Sequence, residues 1–252
     1  MASKTWLVTV IATARDPTKA AEANPQISNL GGIWIELDVT SSSTAKAVED
    51  AVNQSGGVID VVVNNAGYSL LGSIEDMSEA EIEAQFNTNV YGPVRVLKGV
   101  LPFMRARKSG TIVNISSSAG INGLPTCAMY AGTKFALEGM SESLAKELAP
   151  FNIRVLVVEP GSLRTNFWSA YVEPIAGMNK DYTGTPLEHL GDAVKCAKRV
   201  LEVVDDTGMG AGKGDLFRLP LGSDCYARFQ TKIENLQDNL LQAKDIAHST
   251  SY

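Results

Sequence analysis

The chain has 252 residues, of which 44% are hydrophobic, 20% charged and 7% aromatic, and its formal net charge is −6. This composition is typical of a soluble globular protein with one sizeable core, and it excludes a disordered chain, a collagen and a disulfide scaffold. The acidic balance and the lack of Lys/Arg runs argue against nucleic acid as the main partner. No apolar run in the sequence approaches the ~18 residues that a membrane-spanning helix needs.

The few histidines and cysteines do not suggest a metal site or a disulfide framework. His189, His248, Cys127, Cys196 and Cys225 are scattered along the chain and have no zinc-ligand spacing. Three cysteines also cannot pair completely, which favours a reducing compartment.

The first residues allow two interpretations. Lys4 and the apolar run that ends in Ala-Thr-Ala14 resemble a signal peptide, but 14 residues fall just short of the usual ~15–30. A run rich in Val, Ile and Thr is also typical of a buried strand. We therefore predict a strand over Trp6–Ala14 and a cytoplasmic protein.

Apolar runs and stretches with helical periodicity alternate along the chain. The predicted strands are Trp6–Ala14, Ile33–Val39, Val58–Val63, Thr111–Ser116, Ile153–Glu159 and a short one near Leu216–Leu219. The predicted helices are Thr44–Gln54, Glu79–Arg107, Tyr130–Leu148, Asp192–Val204 and about Asp224–Ala247. Continuous apolar strands indicate a parallel sheet with helices on both faces. We predict one α/β domain over residues 1–252 with a doubly wound, mostly parallel sheet of the Rossmann type.

Small and polar residues follow four of these strands. They are Asp38-Val39, Asn64-Asn65-Ala66-Gly67, Ser116-Ser117-Ser118 and Pro160-Gly161. Turns alone would account for any one of these groups. Because the carboxyl ends of parallel strands share one edge of the sheet, four groups in register predict a ligand cleft there.

One pair of residues has the spacing of an acid–base site. Tyr130 and Lys134 lie four residues apart near the start of a predicted helix, so they share a face. A nearby ammonium favours the phenolate and would make tyrosine a better proton donor or acceptor. On the spacing alone, an incidental pair on a partly exposed helix is the favoured interpretation.

Several ordered motifs carry a family resemblance. They are Asn64-Asn-Ala-Gly67, Asn114-Ile-Ser-Ser-Ser-Ala-Gly120, Tyr130-X-X-X-Lys134 and Pro160-Gly-X-X-X-Thr165. Ser117 precedes Tyr130 by 13 residues, and Asn89 precedes Ser117 by 28. From about residue 15 to the C-terminal helix, the chain resembles the short-chain dehydrogenases/reductases.

The resemblance implies catalytic roles for four residues. Tyr130 would be the general acid in ketone reduction and the base in alcohol oxidation. Lys134 would lower the pKa of Tyr130 and hold the nicotinamide ribose, and Ser117 would donate a hydrogen bond to the substrate oxygen. Asn89 would support a water that connects Lys134 to solvent.

The resemblance also implies a dinucleotide site. The adenosine ribose would be approached by Asn65, Ala66 and Gly67, and the adenine by Asp38. The nicotinamide carboxamide would contact Leu163 and Thr165. Lys98 matches a polar position associated with the cofactor site. Arg15 stands where similar sequences carry the residue that selects the ribose 2′ group, and a basic residue there favours NADP over NAD. The same sequence is also compatible with an Arg15 that faces solvent at the start of a helix and does not contact the cofactor.

The sequence departs from the family at the phosphate-binding loop. No glycine occurs before Gly31, and only three residues separate Thr9 from Thr13. Because two adjacent parallel strands need a crossover of about a dozen or more residues, this region provides one strand and no glycine-rich turn. The sheet is therefore expected to be truncated at its first strand–helix–strand unit, with apolar surface uncovered.

Two explanations fit the missing segment. The sequence is either an incompletely spliced or mispredicted version of a longer enzyme, or a shortened variant with weak or no cofactor binding. The second explanation leads to a rival function, a non-catalytic binding or regulatory protein that cannot hold a dinucleotide. A methyltransferase is disfavoured, because it would leave the spacing of Ser117, Tyr130 and Lys134 unexplained.

The C-terminal third indicates the substrate class. Residues 166–190 correspond to the family's substrate flap, and their aromatics and methionine, without a paired cationic clamp, favour a small apolar ketone or alcohol. A terpenoid, polyketide or steroid-like skeleton would fit. Residues 222–247 are predicted to form a C-terminal helix. The family resemblance implies a homodimer or homotetramer.

Overall fold

The computed structural model describes residues 9–165, 167, 171–182 and 191–250. The strands are β1 (Ile11–Ala14), β2 (Ile33–Glu36), β3 (Val61–Asn64), β4 (Gly110–Ile115), β5 (Ile153–Pro160) and β6 (Arg218–Leu221). The helices are α1 (Pro17–Ala23), α2 (Pro25–Asn29), α3 (Thr44–Gln54), α4 (Glu79–Phe86), α5 (Gly92–Arg107), α6 (Ala128–Leu148), α7 (Ala193–Val204), α8 (Ser223–Gln242) and α9 (Lys244–His248). These elements confirm the predicted α/β class.

All the strand pairs in these residues are parallel, but they form two separate hydrogen-bonded ladders. β1 pairs with β2, while the other four strands run in the order β3-β4-β5-β6. The sequence predicted a single sheet, so the break is a difference of detail. Its physical reason lies ahead of α1, where the described residues contain one strand, β1, and the sequence has no room for a crossover to a second parallel strand.

The break leaves β3 at the edge of the four-stranded ladder. A continuous run of valines is typical of a strand covered on both faces, yet Val61 is 37% exposed and Val63 is 53% exposed. Beside the other ladder, Val10 is also exposed. The uncovered apolar surface expected from the missing segment is therefore present along both strands.

The helices mostly begin and end close to their predicted bounds. α3 matches its prediction, whereas the long helix predicted over Glu79–Arg107 is divided by a π-helical turn at Asn87–Tyr91. The sequence analysis missed α1 and α2. Both are short, begin with proline and bury no side chain, so they lack the apolar periodicity that identifies a helix. Among the described residues, no helix combines the length and apolarity needed to cross a membrane.

The core lies on both faces of the four-stranded ladder. On one face, buried residues of α3, α5 and α6 pack against β4 and β5; they include Val52, Val100, Met104, Ile112 and Leu148. On the other face, Val203 of α7 packs with Leu156 and Val158 of β5. Helices therefore cover both faces, as continuous apolar strands require.

A chain of buried amide hydrogen bonds joins the ladder to α6. The side-chain nitrogen of Asn64 donates to Asn114 Oδ1 at 2.8 Å, and Asn114 Nδ2 donates to Ser141 Oγ at 2.8 Å. The Ser141 hydroxyl donates to the backbone oxygen of Leu137 at 2.6 Å. Since a buried polar group without a partner is costly, this chain fixes the position of α6 against β3 and β4.

We expect Asn114→Ala to lower the free energy of unfolding by about 2–3 kcal/mol, because the buried Asn64 amide loses its acceptor. Urea unfolding followed by circular dichroism measures this change. The matched control is Asn53→Ala on the exposed side of α3, which should change stability by less than about 0.5 kcal/mol. Equal effects of the two substitutions would contradict the role given to Asn114.

Candidate active site

Tyr130 and Lys134 lie one turn apart on α6 and are both buried, at 6% and 7% exposure. The Lys134 ammonium donates to the backbone oxygen of Ile115 at 2.8 Å, where β4 ends. Its nitrogen is 5.7 Å from the centroid of the Tyr130 ring. An incidental Tyr/Lys pair would be partly exposed to solvent. The burial of both side chains instead indicates that the fold positions them as a functional site.

Ser117 brings the loop after β4 to the same place. Its hydroxyl is hydrogen-bonded to the Tyr130 phenol, and its oxygen also accepts the backbone N–H of Ala119 at 3.1 Å. The second contact orients the serine side chain at the start of the short turn Ser118–Gly120. The Phe167 ring lies 6.0 Å from the Tyr130 ring, centroid to centroid, with the two rings tilted by 50°.

Burial dominates the electrostatics of the pair. It raises the pKa of Tyr130 to about 12, and the hydrogen bond from Ser117 opposes that rise. Burial also lowers the pKa of Lys134 to about 8, against the attraction of Glu138. The expectation that Lys134 lowers the pKa of Tyr130 is therefore outweighed by desolvation. The phenol is protonated at neutral pH and can act as a proton donor.

Asn89 lies in the π-helical turn and is 1% exposed. Its side-chain oxygen accepts the backbone N–H of Tyr68 at 3.1 Å, and its nitrogen donates to Tyr68 O at 2.9 Å and to Thr133 Oγ1 at 3.1 Å. π-Turns within helices often occur at functional sites. Asn89 thus connects the loop after β3 to α6, and its support of a water stays a prediction.

Gly67 shows how closely this loop approaches the catalytic candidates. A Cβ atom added there would lie 3.1 Å from Asn89 Oδ1 and 3.8 Å from the Lys134 nitrogen. The structure therefore brings together five residues from two strand ends, the π-helical turn and α6: Gly67, Ser117, Asn89, Tyr130 and Lys134.

Similarity to known proteins identifies the family. The model of the short chain dehydrogenase family matches residues 4–175. The chain belongs to the short-chain dehydrogenase family. It is 49% identical to the oxidoreductase claN of Passalora fulva over 166 residues, which is 66% of this chain and 75% of the relative. It is 36% identical to the 3-ketodihydrosphingosine reductase of Bacteroides thetaiotaomicron over 241 residues, 92% of this chain and 86% of the relative.

Solved short-chain dehydrogenases share the fold. A short-chain dehydrogenase from Streptomyces avermitilis superposes with a TM-score of 0.83 and 33% identity, covering 97% of this chain and 89% of that one. A metagenomic short-chain oxidoreductase in complex with NADP gives a TM-score of 0.57 and 36% identity over 63% and 73% of the chains. A NAD⁺-bound xylitol dehydrogenase gives 0.71 and 27% identity over 84% and 87%.

The remaining cofactor candidates of this short-chain dehydrogenase are spread along the strand ends. Asp38 accepts the backbone N–H and the hydroxyl of Thr40, at 2.9 and 2.7 Å, and these bonds lower its pKa, with a further contribution from Arg15. Arg15 and Asp38 follow the neighbouring ends of β1 and β2, which pair in parallel with Ala14 opposite Glu36. Both are exposed.

The other candidates are less closely tied to the cleft. Asn65 and Ala66 are exposed directly after β3, Leu163 forms a bridge with Gly191, and Thr165 accepts the backbone N–H of Phe167. Lys98 is exposed on α5, nine residues after Asn89, and the structure brings it to none of the other candidates through a hydrogen bond or ion pair. Its cofactor role stays a prediction.

The described residues fit the two ends of a dinucleotide. The buried ammonium of Lys134 suits a nicotinamide ribose, and Arg15 and Asp38, at neighbouring strand ends, suit the adenosine end. The pyrophosphate in the middle of a dinucleotide has no such partner at the start of α1. That helix end is already capped, because Asp16 Oδ1 accepts the backbone N–H of Lys19 at 2.9 Å. A carboxylate at this position disfavours a pyrophosphate, so α1 does not replace the absent glycine-rich turn.

A charged cluster that the sequence analysis missed lies behind Lys134. Glu138 and Glu159 are 4% and 0% exposed, and both accept hydrogen bonds from the guanidinium of Arg218. Glu159 also accepts the backbone N–H of Leu219 at 3.0 Å. Two signals could have revealed the cluster: Glu138 follows Lys134 by one helical turn, and Glu159 interrupts an apolar strand.

We expect Glu159 to make the protein less stable as the pH rises from about 4.5 to about 8. Burial, and next the charge of Glu138, raise its pKa from an ordinary 4.5 to about 8, so between these values the folded state binds more protons than the unfolded state. The prediction is that Glu159→Gln flattens this decline, measured by urea unfolding at several pH values.

The control for this experiment is Glu142→Gln, at an exposed position on α6. The hydrogen bond from Lys146 lowers the pKa of Glu142, so its contribution changes only below about pH 4.5, outside the tested window. An unchanged pH dependence in Glu159→Gln would contradict the prediction.

Proposed function

We propose that this short-chain dehydrogenase is an NADP(H)-dependent oxidoreductase that interconverts a ketone and a secondary alcohol on a small apolar substrate. The observation that carries the proposal is the buried Tyr130, which is hydrogen-bonded to Ser117 and has Lys134 against its ring. This is a proton donor beside a hydrogen-bond donor and a fixed positive charge. Such a group stabilises an oxygen that gains negative charge.

The chain's own residues supply the proton and the charge stabilisation. When bound, the cofactor would supply or accept the hydride. Tyr130 donates its phenolic proton to the oxygen of the reduced carbonyl, because its high pKa keeps that proton in place at neutral pH. Ser117 donates a hydrogen bond to the same oxygen, and the Lys134 ammonium stabilises the phenolate that remains. In alcohol oxidation, Tyr130 accepts the proton.

The cofactor preference is supported by Arg15. Its exposed guanidinium lies near Asp38, at the strand end where a 2′-phosphate would be held. Solved relatives hold either NADP or NAD⁺, so the preference rests on this residue in this chain. The remaining proposed contacts to the dinucleotide are made by Asn65, Ala66, Gly67, Leu163 and Thr165.

The substrate class is supported by the described part of the flap, residues 171–182. Val172 donates to Ser69 O and accepts from Leu71 N, both at 2.9 Å, which places this segment beside the loop that follows Gly67. Exposed apolar side chains are concentrated there: Tyr171, Ile175, Met178 and Tyr182. These side chains suit a terpenoid, polyketide or steroid-like ketone. The rest of residues 166–190, apart from Phe167, lies outside the described residues.

Three further expectations belong to the same proposal. The protein would be cytoplasmic, would consist of a single domain over residues 1–252, and would assemble as a homodimer or homotetramer. The predicted C-terminal helix, residues 222–247, corresponds to α8 and most of α9.

Tyr130→Phe tests the proposal. Loss of the phenolic proton should lower the rate of NADPH-dependent reduction of apolar cyclic ketones by roughly 10²–10⁴-fold, because general acid catalysis contributes about that much. The measurement is NADPH absorbance with a panel of such ketones and the purified protein. Thermal unfolding of the variant checks that its fold is retained.

Tyr226→Phe provides the matched control, because this tyrosine is 59% exposed on α8 and should keep the wild-type rate. Equal rates for Tyr130→Phe and the wild type would contradict the proposed role of Tyr130. Failure of the wild type to reduce any ketone of the panel with NADPH would contradict the proposed reaction.

A further inference from the structure

The Lys134 ammonium is buried without a carboxylate in hydrogen-bonding contact. Its single hydrogen bond among the described residues goes to the neutral backbone oxygen of Ile115. Removing an ammonium from water is costly unless an opposite charge or several hydrogen bonds compensate. A lysine in this position would lose its proton readily, and a neutral amine cannot stabilise a phenolate at Tyr130. The site therefore needs a negative charge close behind Lys134.

Glu138 provides that charge. It follows Lys134 by four residues on α6, so the two side chains lie on the same helix face. Glu138 is 4% exposed, and its Oε1 lies near the Ser116 hydroxyl, whose hydrogen bond acts to lower the pKa of Glu138. Space around this oxygen is tight, because a Cβ atom added at Gly120 would lie 2.8 Å from it.

The other carboxylate oxygen of Glu138 is held by Arg218, which Glu138 shares with Glu159. Glu138 Oε2 accepts from Arg218 of β6, and the same guanidinium nitrogen donates to Glu159 Oε1 of β5 at 3.0 Å. From α8, the Cys225 thiol donates to the backbone oxygen of Glu159 at 3.0 Å, and Asp224 lies in the next position. The charged and titratable groups around Glu138 thus come from four elements: α6, β5, β6 and α8.

The buried cluster contains two cationic side chains and two carboxyl groups. Lys134 and Arg218 are the cations, and Glu138 and Glu159 are the carboxylates. Burial, and next the charge of Glu138, raise the pKa of Glu159 to about 8, so Glu159 is mostly protonated at neutral pH. Burial raises the pKa of Glu138 as well, but the hydrogen bond from Ser116 and the charges of Arg218 and Lys134 oppose that rise and favour its carboxylate form. The attraction of Glu138 opposes the effect of burial on the pKa of Lys134.

We propose that Glu138 is the positioning residue of Lys134: held by Arg218, its carboxylate keeps the buried ammonium charged and directed toward Tyr130 and Ile115. The proposal deepens the function above, since it rests on Lys134 as the residue that stabilises the Tyr130 phenolate. It assigns a role to a residue that does not contact substrate or cofactor.

The test follows the titration of Lys134 directly. The protein is labelled with ¹³Cε-lysine, and the Lys134 signal is assigned by its absence in Lys134→Met. In Glu138→Gln, the titration midpoint of Lys134 should fall by about one pH unit or more, because the substitution removes a buried opposite charge one helical turn away. In Glu138→Asp, which keeps the charge, the midpoint should recover toward the wild-type value.

Glu142→Gln is the matched control, since Glu142 is one turn further along α6 but exposed and paired with Lys146. Its removal should move the Lys134 midpoint by less than about 0.3 units, because exposed charges are screened by solvent. A Lys134 midpoint in folded Glu138→Gln equal to that of the wild type would overturn the proposal. A merely structural Glu138 would lower stability without moving this midpoint.

A second measurement needs no variant of Glu138. The ¹³Cδ chemical shifts of the glutamates in the wild-type protein show whether Glu138 is ionised at pH 7. The proposal requires a carboxylate there, and a protonated Glu138 at pH 7 would overturn it even if Glu138→Gln did not fold. These titrations use no cofactor or substrate, so their outcome is independent of the ketone-reduction assay that tests the proposed function.

Discussion

The position of α6 is the constraint on which the site depends. Parallel register sets the ends of β3 and β4 side by side, with Asn64 opposite Asn114. The amide chain from Asn64 through Asn114 to Ser141 then fixes α6 against these strands. Tyr130 lies on the same helix three turns before Ser141, so this buried contact also determines where its phenol meets the loop after β4. The catalytic geometry follows from the packing of the sheet.

This arrangement buries Tyr130 and Lys134, and their burial determines which protonation states they favour. A phenol and an ammonium held away from water both favour their neutral forms. For Tyr130 this effect is useful, because a protonated phenol is the donor that ketone reduction needs. For Lys134 it is harmful, because the amine must stay charged to stabilise the phenolate. The carboxylate of Glu138 resolves this conflict, and Arg218 and Glu159 hold that carboxylate inside the fold.

Much of the fold and site could be predicted from the sequence, because apolar runs identify parallel strands and motif spacing identifies Ser117, Tyr130 and Lys134. Three features required the structure. Composition does not show that β3 becomes an edge strand with Val63 exposed. The pKa of Tyr130 depends on burial, which residue spacing does not report. The contact of Glu138 with Arg218 joins residues 80 positions apart, and no periodicity along the chain connects them.

We propose that this chain, with residues suited to both ends of a dinucleotide but no glycine-rich turn, holds NADPH at the cleft of Tyr130 and Lys134. Calorimetric titration of the purified 252-residue protein with NADPH tests it most directly, with NADH as the comparison. The account predicts saturable heat at micromolar NADPH and weaker binding of NADH. No binding of NADPH at about 1 mM, which corresponds to less than about 4 kcal/mol of binding free energy, would contradict the claim. This chain would then not be the working catalyst.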